Sequence, residues 1–295
     1  MGIPKGGIAF FDSGIGGLTV LTECKKLLPN QRFYYYGDNK NAPYGNLPVK
    51  KIKKYVTRAF KRFQRLQVKA VVLACNTVTA VCVEELRRKY PFPIIGAEPA
   101  VLRAAKEEGE VFVLTTRTTY ESRRFQALLK KTAALFPKTI IKAFPCDNLA
   151  GEIEKNIFNK GKDYTPFLPR GKPSAVVLGC THYVYVAEQI RRFYGCQIFD
   201  GNEGIAKRLR SVLMENNCLK TPVDPFRPPK DKNLPFSPQK EEWTDTQKIG
   251  GEKKYKEKRK TMRSVKVPKE GRQGQIYFLG SGKKRNKSIN KQMFV

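Results

Sequence analysis

The chain has 295 residues, 57 Lys and Arg against 26 Asp and Glu, and a formal net charge of +31. That length can bury two cores of moderate size, and the charge balance points to acidic partners: nucleic acid, anionic lipid or a small anionic substrate. No apolar run approaches the ~20 residues of a membrane span. Seven cysteines with neither metal-ligand spacing nor a paired framework exclude a disulfide-stapled secreted scaffold and predict a reducing, cytoplasmic setting.

The first 220 residues alternate strand and helix. Gly7 to Phe11 reads as a strand, Leu18 to Leu28 as a helix and Arg32 to Tyr36 as the next strand. Ile52, Val56, Ala59, Phe60, Phe63 and Leu66 recur at the spacing of one apolar helical face. The strand ending at Cys75, a helical run from Val78 to Tyr90, and Pro93 to Gly96 complete one α/β unit. A second begins near Ala100: helix, strand Val111 to Leu114, helix Tyr120 to Leu135, strand Thr139 to Phe144, helix, then the strand ending at Cys180. This alternation predicts an α/β fold with two pseudo-symmetric α/β domains, parallel sheets covered by helices, and an active site in the cleft between them. The first domain is expected over 1–97, completed by about 203–219 and by the short apolar run at 274–282, and the second over 98–202.

From Lys220 the composition changes. Thr221 to Val295 holds 20 Lys and Arg against 8 Asp and Glu, with seven prolines between Thr221 and Pro268 and a block of lysines at 253–260. Such a stretch cannot bury enough apolar surface to offset its ordering entropy, so 221–270 reads as a disordered basic insert. Taken alone, its charge suggests salt-sensitive, non-specific nucleic-acid binding, since no base-reading motif accompanies it.

Two apolar runs end in a cysteine followed by small polar residues: Val71-Val72-Leu73-Ala74-Cys75-Asn76-Thr77 and Val176-Val177-Leu178-Gly179-Cys180-Thr181-His182. Short, β-branched and uninterrupted, they read as strands buried on both faces of a parallel sheet. Each thiol then stands at a strand's carboxyl end, where open α/β sheets hold their ligands. A buried cysteine is ordinarily a small hydrophobe, and Cys24, Cys82, Cys146, Cys196 and Cys218 take that reading. The matched context of Cys75 and Cys180 instead suggests one reaction using both, the simplest being transfer of a proton from one face of a carbon to the other.

Phe11-Asp12-Ser13-Gly14-Ile15-Gly16-Gly17-Leu18 follows the first strand, but its glycine spacing does not fit a dinucleotide loop, and no phosphate-binding Gly-Lys-Thr is present. Tyr36-Gly37-Asp38, Pro43-Tyr44-Gly45, Gly96-Ala97-Glu98-Pro99 and Cys180-Thr181-His182-Tyr183 complete a motif set. With the two cysteines in this order, the chain resembles the cofactor-independent glutamate racemases of the aspartate/glutamate racemase family, from Gly7 to about Asn217. It departs at Tyr183-Val184-Tyr185-Val186, where many members carry Pro-Leu-Leu after the aromatic, and mildly at Leu114-Thr115.

The resemblance implies interconversion of L- and D-glutamate for peptidoglycan assembly, with no cofactor, no metal, and a homodimer as a candidate assembly. Cys75 and Cys180 match the catalytic thiols on opposite faces of the substrate. Asp12 and Ser13 match a loop that contacts substrate and helps activate the first thiol, Asp12 being equally readable as a helix cap or turn residue. Tyr44, Gly45, Asn76, Thr77, Thr181 and His182 match substrate contacts, and Thr116, Thr119 and Ser122 occupy a hydroxyl-rich turn. Glu154 matches a carboxylate near the second thiol, although Glu152 lies one helix-compatible step away. His182, the only histidine, reads as a tuner of Cys180 or as a satisfied polar residue, and the Asp38 and Asp200-Gly201 turns as structural. Aspartate or a related amino acid is the alternative substrate, and nucleic-acid binding through the basic segment the alternative of another class.

Overall fold

The computed structural model describes residues 6–159, 161–218 and 275–280. In chain order the strands are β1 (Ile8–Asp12), β2 (Phe33–Gly37), β3 (Ala70–Leu73), β4 (Ile94–Gly96), β5 (Gly109–Thr115), β6 (Thr139–Pro145), β7 (Ala175–Leu178), β8 (Gln197–Phe199) and β9 (Ile276–Phe278). The helices are α1 (Gly17–Leu27), α2 (Val49–Arg65), α3 (Asn76–Lys89), α4 (Val101–Ala104), α5 (Arg117–Tyr120), α6 (Arg123–Leu135), α7 (Leu149–Asn156), α8 (Ala187–Tyr194) and α9 (Asn202–Glu215). Among these residues no helix is long and apolar enough to cross a membrane.

The strands form two sheets, ordered β4-β3-β1-β2-β9 and β6-β5-β7-β8, and every pair is parallel. Because strand side chains alternate, each sheet feeds two cores. Ala9 and Phe11 of β1 pack with Ile52, Phe60 and Phe63 of α2 and Val78 of α3. Ile8 and Phe10 point the other way, to Leu21 of α1 and Leu209 and Leu213 of α9. In the second sheet, Phe112 and Leu114 meet Leu149 and Ile153 of α7, while Val111 and Val113 meet Phe125 and Leu128 of α6. Each fully buried side chain of this size contributes about 1.5–3 kcal/mol, which is why the uninterrupted apolar runs become central strands.

The structure changes several sequence boundaries. The helix expected over 120–135 is broken at Ser122, whose hydroxyl accepts from the Phe125 amide at 3.2 Å and so caps a new helix, α6. Strand β8 and helix α9 were not singled out from sequence, β8 because three residues carry too little pattern. After Cys180 the chain enters a 3₁₀ segment, Thr181–Val186, before α8 begins. The apolar run near the carboxyl end is a strand: β9 pairs with β2 through Phe33–Ile276 and Tyr35–Phe278, and the Leu279 amide donates to the Tyr35 carbonyl at 2.7 Å. The basic segment 221–270 lies outside the described residues, as do Gly274, Ser281 and Gly282.

Candidate active site

Parallel strands place their carboxyl ends on one edge of a sheet, so residues far apart in sequence are brought to the same edge. Asp12 ends β1, Cys75 follows β3 after Ala74, Thr116 follows β5, and Cys180 follows β7 after Gly179. All four are buried.

Cys75 is the residue before α3, so its thiol meets the positive end of a helix. Its Sγ donates to Ser13 Oγ at 3.6 Å. Burial is the main force on this thiol and pushes it up to about 12, with the nearby Asp12 charge adding to the effect; hydrogen bonds from the Val78 amide and with Ser13 oppose it without reversing it.

Cys180 has different neighbours. Its Sγ lies 3.7 Å from His182 Nδ1, and His182 Nε2 lies 2.6 Å from Glu154 Oε2. Burial works against the imidazolium, but the hydrogen bonds to Cys180 and Glu154 outweigh it and hold His182 well above its ordinary range. The second thiol therefore faces a buried cation backed by a carboxylate. Glu154, not Glu152, is the carboxylate beside His182: Glu152 turns outward, to Lys155 at 3.0 Å and Lys162 at 3.8 Å.

Asp12 joins the two halves. Its Oδ1 accepts from the Gly14 amide at 2.9 Å, and its Oδ2 accepts from Thr181 Oγ1 at 3.2 Å. Burial raises its carboxyl above the usual range, and Glu154 adds to this against the pull of His182 and the Gly14 and Gly17 amides.

The loop after β1 explains its glycines. A Cβ on Gly14 would fall 2.6 Å from Glu154 Oε2, and one on Gly16 would strike the Thr181 hydroxyl. The Ile15 amide donates to Glu154 Oε2 at 3.4 Å. Two phenols hold the loop's carbonyls: buried Tyr35 donates to Gly14 O at 2.8 Å and half-buried Tyr185 donates to Ile15 O at 2.9 Å. The Tyr35 bond falls on the same peptide unit whose N–H meets Glu154, so it strengthens that donor. Neither phenol was assigned a site role from sequence; Tyr185 was visible only as a departure from the family's usual leucine.

The remaining site residues form a hydroxyl cluster and its support. Thr77 Oγ1 and Thr116 Oγ1 are 2.9 Å apart, and Thr116 Oγ1 donates to Thr119 Oγ1 at 3.0 Å. Tyr44 donates its phenol to Asp38 Oδ2 at 2.5 Å, and Gly45 O accepts from Thr118 Oγ1 at 2.7 Å. Asp38 also accepts from Asn41 at 2.9 Å, so this turn fixes Tyr44. Asn76 Oδ1 is a buried acceptor with no hydrogen-bond partner among the described residues. The cavity bordered by Asn76, Cys180 and Thr181 is only about 10 Å³, room for about one water. Cys24 and Cys82 are buried in α1 and α3, whereas Cys146, also buried, follows β6 and shares a core with Cys180, and no group of three or more His, Cys, Asp or Glu among the described residues could hold a metal.

Three comparisons bear on this arrangement. The family model described as Asp/Glu/Hydantoin racemase matches residues 38–209. A glutamate racemase of Clostridium novyi (strain NT) is 39% identical over 231 residues, covering 74% of this chain and 88% of the relative. Among solved structures, Escherichia coli glutamate racemase in complex with L-glutamate and an activator superposes with a TM-score of 0.64 at 29% identity, over 72% of this chain and 83% of that one. Glutamate racemase from Francisella tularensis in complex with D-glutamate gives a TM-score of 0.62 at 28% identity, over 75% and 85%.

Proposed function

The chain belongs to the Asp/Glu/hydantoin racemase family and is an isomerase, and from that premise we propose that it interconverts L- and D-glutamate by a two-thiol mechanism without a cofactor. The observation that carries this reading is the placement of Cys75 and Cys180 at the carboxyl ends of central strands in two different sheets, joined through Asp12, Thr181 and the Gly14–Ile15 loop.

An amino-acid α-proton is weakly acidic, so its removal requires positioned bases and donors aimed at the charge that develops on the carboxylate. One cysteine enters the cycle as thiolate and takes the α-proton, leaving a carbanion whose charge spreads onto the carboxylate. The other enters as thiol and gives its proton to the opposite face. The product is the enantiomer, and the two sulfurs have exchanged protonation states, ready for the reverse passage. Cys180, beside His182, serves one face of the substrate and Cys75, beside Ser13, the other. Ser13 and Thr77 supply short donors for the carboxylates, Thr181 orients Asp12, and Asn76 Oδ1 offers an acceptor for the ammonium.

D-glutamate for peptidoglycan, a cytoplasmic location and a homodimeric assembly belong to the same proposal. Nucleic-acid binding by 221–270 falls outside the described residues. The deciding experiment follows the circular dichroism of L-glutamate and, separately, L-aspartate with purified protein and no added pyridoxal phosphate, nucleotide or metal. Decay of the glutamate signal to zero is the expected result. Decay for aspartate alone would move the substrate to the alternative, and no decay for either would overturn the reading.

A further inference from the structure

Helix α2 carries eight basic residues and no acidic one over its 17 residues. Its apolar side, Ile52, Val56, Ala59, Phe60 and Phe63, is sealed in the first sheet's core at 0–1% exposure. On the opposite side Lys50, Lys54, Arg58, Lys61 and Arg65 are all exposed. At 3.6 residues per turn these five fall within a sector of about 80° and run for about 22 Å along the axis. The stripe members have no ion pair among the described residues; the helix's one such pair is Lys53 with Glu85, at 2.7 Å. A groove of about 400 Å³ is lined by Lys53, Lys54, Thr57, Arg58 and Lys61.

This pattern works against the helix that carries it. Like charges three or four residues apart repel, and lysines in the first turn oppose the helix dipole. A polyanion laid along the stripe reverses both effects. The length of the stripe suits a nucleic-acid strand: a duplex strand presents a phosphate about every 3.4 Å of axis, so one strand offers about six phosphates to its five cations. Insertion into a membrane interface would call for apolar side chains along the stripe, whereas the apolar side chains of α2, apart from Val49 at its start, face the core. We propose that the outer face of α2 is a docking surface for the phosphate backbone of nucleic acid, separate from the racemase site and independent of the segment 221–270.

The test uses the full chain and a fluorescent random-sequence DNA duplex, with anisotropy read from 50 to 200 mM salt. If five phosphates are neutralised, affinity falls roughly 500-fold over that range, because each contact contributes about 0.9 to the log–log slope. Replacing Lys50, Lys54, Arg58, Lys61 and Arg65 with Gln should lower the slope by about 4–5, with racemase turnover kept within about a factor of two. Lys50→Arg, Lys54→Arg and Lys61→Arg together should preserve the slope. If the fivefold variant fails to fold, Arg58→Gln with Lys61→Gln should lower the slope by about 2. An unchanged slope in a folded Gln variant would overturn the proposal by placing the contacts elsewhere on the chain. So would binding to anionic phosphatidylglycerol vesicles, lost in that variant, without binding to DNA.

Discussion

Cys75 and Cys180 occupy matching positions in the backbone, two residues beyond the buried end of a central strand, yet their surroundings differ in kind. Cys75 precedes a full α-helix and has a hydroxyl, Ser13, at 3.6 Å. Cys180 precedes a 3₁₀ segment and has an imidazole at 3.7 Å, itself 2.6 Å from a carboxylate. Burial dominates the first thiol, and a fixed charge pair faces the second. Pseudo-symmetry of the strands thus delivers two thiols to the carboxyl ends of two sheets without making them equivalent. Enantiomers have equal free energy in water, so kcat/KM must be the same in both directions however unlike the two sulfurs are. Any asymmetry has to appear as kcat and KM moving together.

The largest expected effect comes from deleting either thiol. Cys75→Ser and Cys180→Ser should each lower racemisation by roughly 10²–10⁴-fold, the usual contribution of a positioned acid or base. Each variant should still exchange the α-proton of one enantiomer with deuterated water, detected by proton NMR. Full racemisation by either variant would remove the two-base assignment.

Next comes the imidazole. His182→Asn or Glu154→Gln should lower kcat by about tenfold, equivalent to ~1.4 kcal/mol in the barrier. The change should be larger in the direction where Cys180 is the base, with KM falling in step. Because the folded state holds the His182 proton well above the ordinary range, its interactions stabilise fully below the imidazole's ordinary pKa and are lost as pH rises through the folded value. The alkaline limb of the kcat profile in that direction should therefore flatten in His182→Asn. Equal changes in both directions with an unmoved limb would leave His182 a substrate-orienting residue.

Tyr185→Phe sharpens the same contrast at smaller scale. It keeps the ring and removes the bond to Ile15 O, and should reduce stability by about 1 kcal/mol. If Tyr185 acts through the loop on Glu154, turnover should fall a few-fold with a shift in the alkaline limb, whereas a purely structural bond would lower only the melting temperature.

The smallest effect concerns burial alone. Cys24, Cys82 and Cys146 are also raised from 9.0 to about 12, chiefly by burial. The folded state favours these thiols neutral, so their contribution is complete below about 9 and lost as pH climbs towards 12. Thermal melts between pH 8 and 11 should show a steady decline, shallower in Cys24→Ala. No change in slope would mean that burial does not govern these thiols, and would weaken the account of Cys75.

Much of this molecule was legible in the chain. Buried parallel strands read as continuous apolar runs, so β1, β3, β5 and β7 were visible within about two residues, as was the partly exposed edge strand β6, and the apolar stripe of α2 followed from helical spacing. The strand-end thiols and the motif set pointed to the family. Local sequence could not choose between Glu152 and Glu154, since both lie on α7 and only the approach of His182 from another element separates them. Nor could it show that Tyr35 of β2 and Tyr185 of the 3₁₀ segment hold one loop, or that Asp38 fixes Tyr44. Strand patterns and turns are set by contacts near in sequence and by one-dimensional periodicity. The electrical difference between Cys75 and Cys180 arises from groups up to 169 residues apart, such as Thr181 on Asp12, and only the packing of one sheet's carboxyl edge against the other's brings them within hydrogen-bond reach.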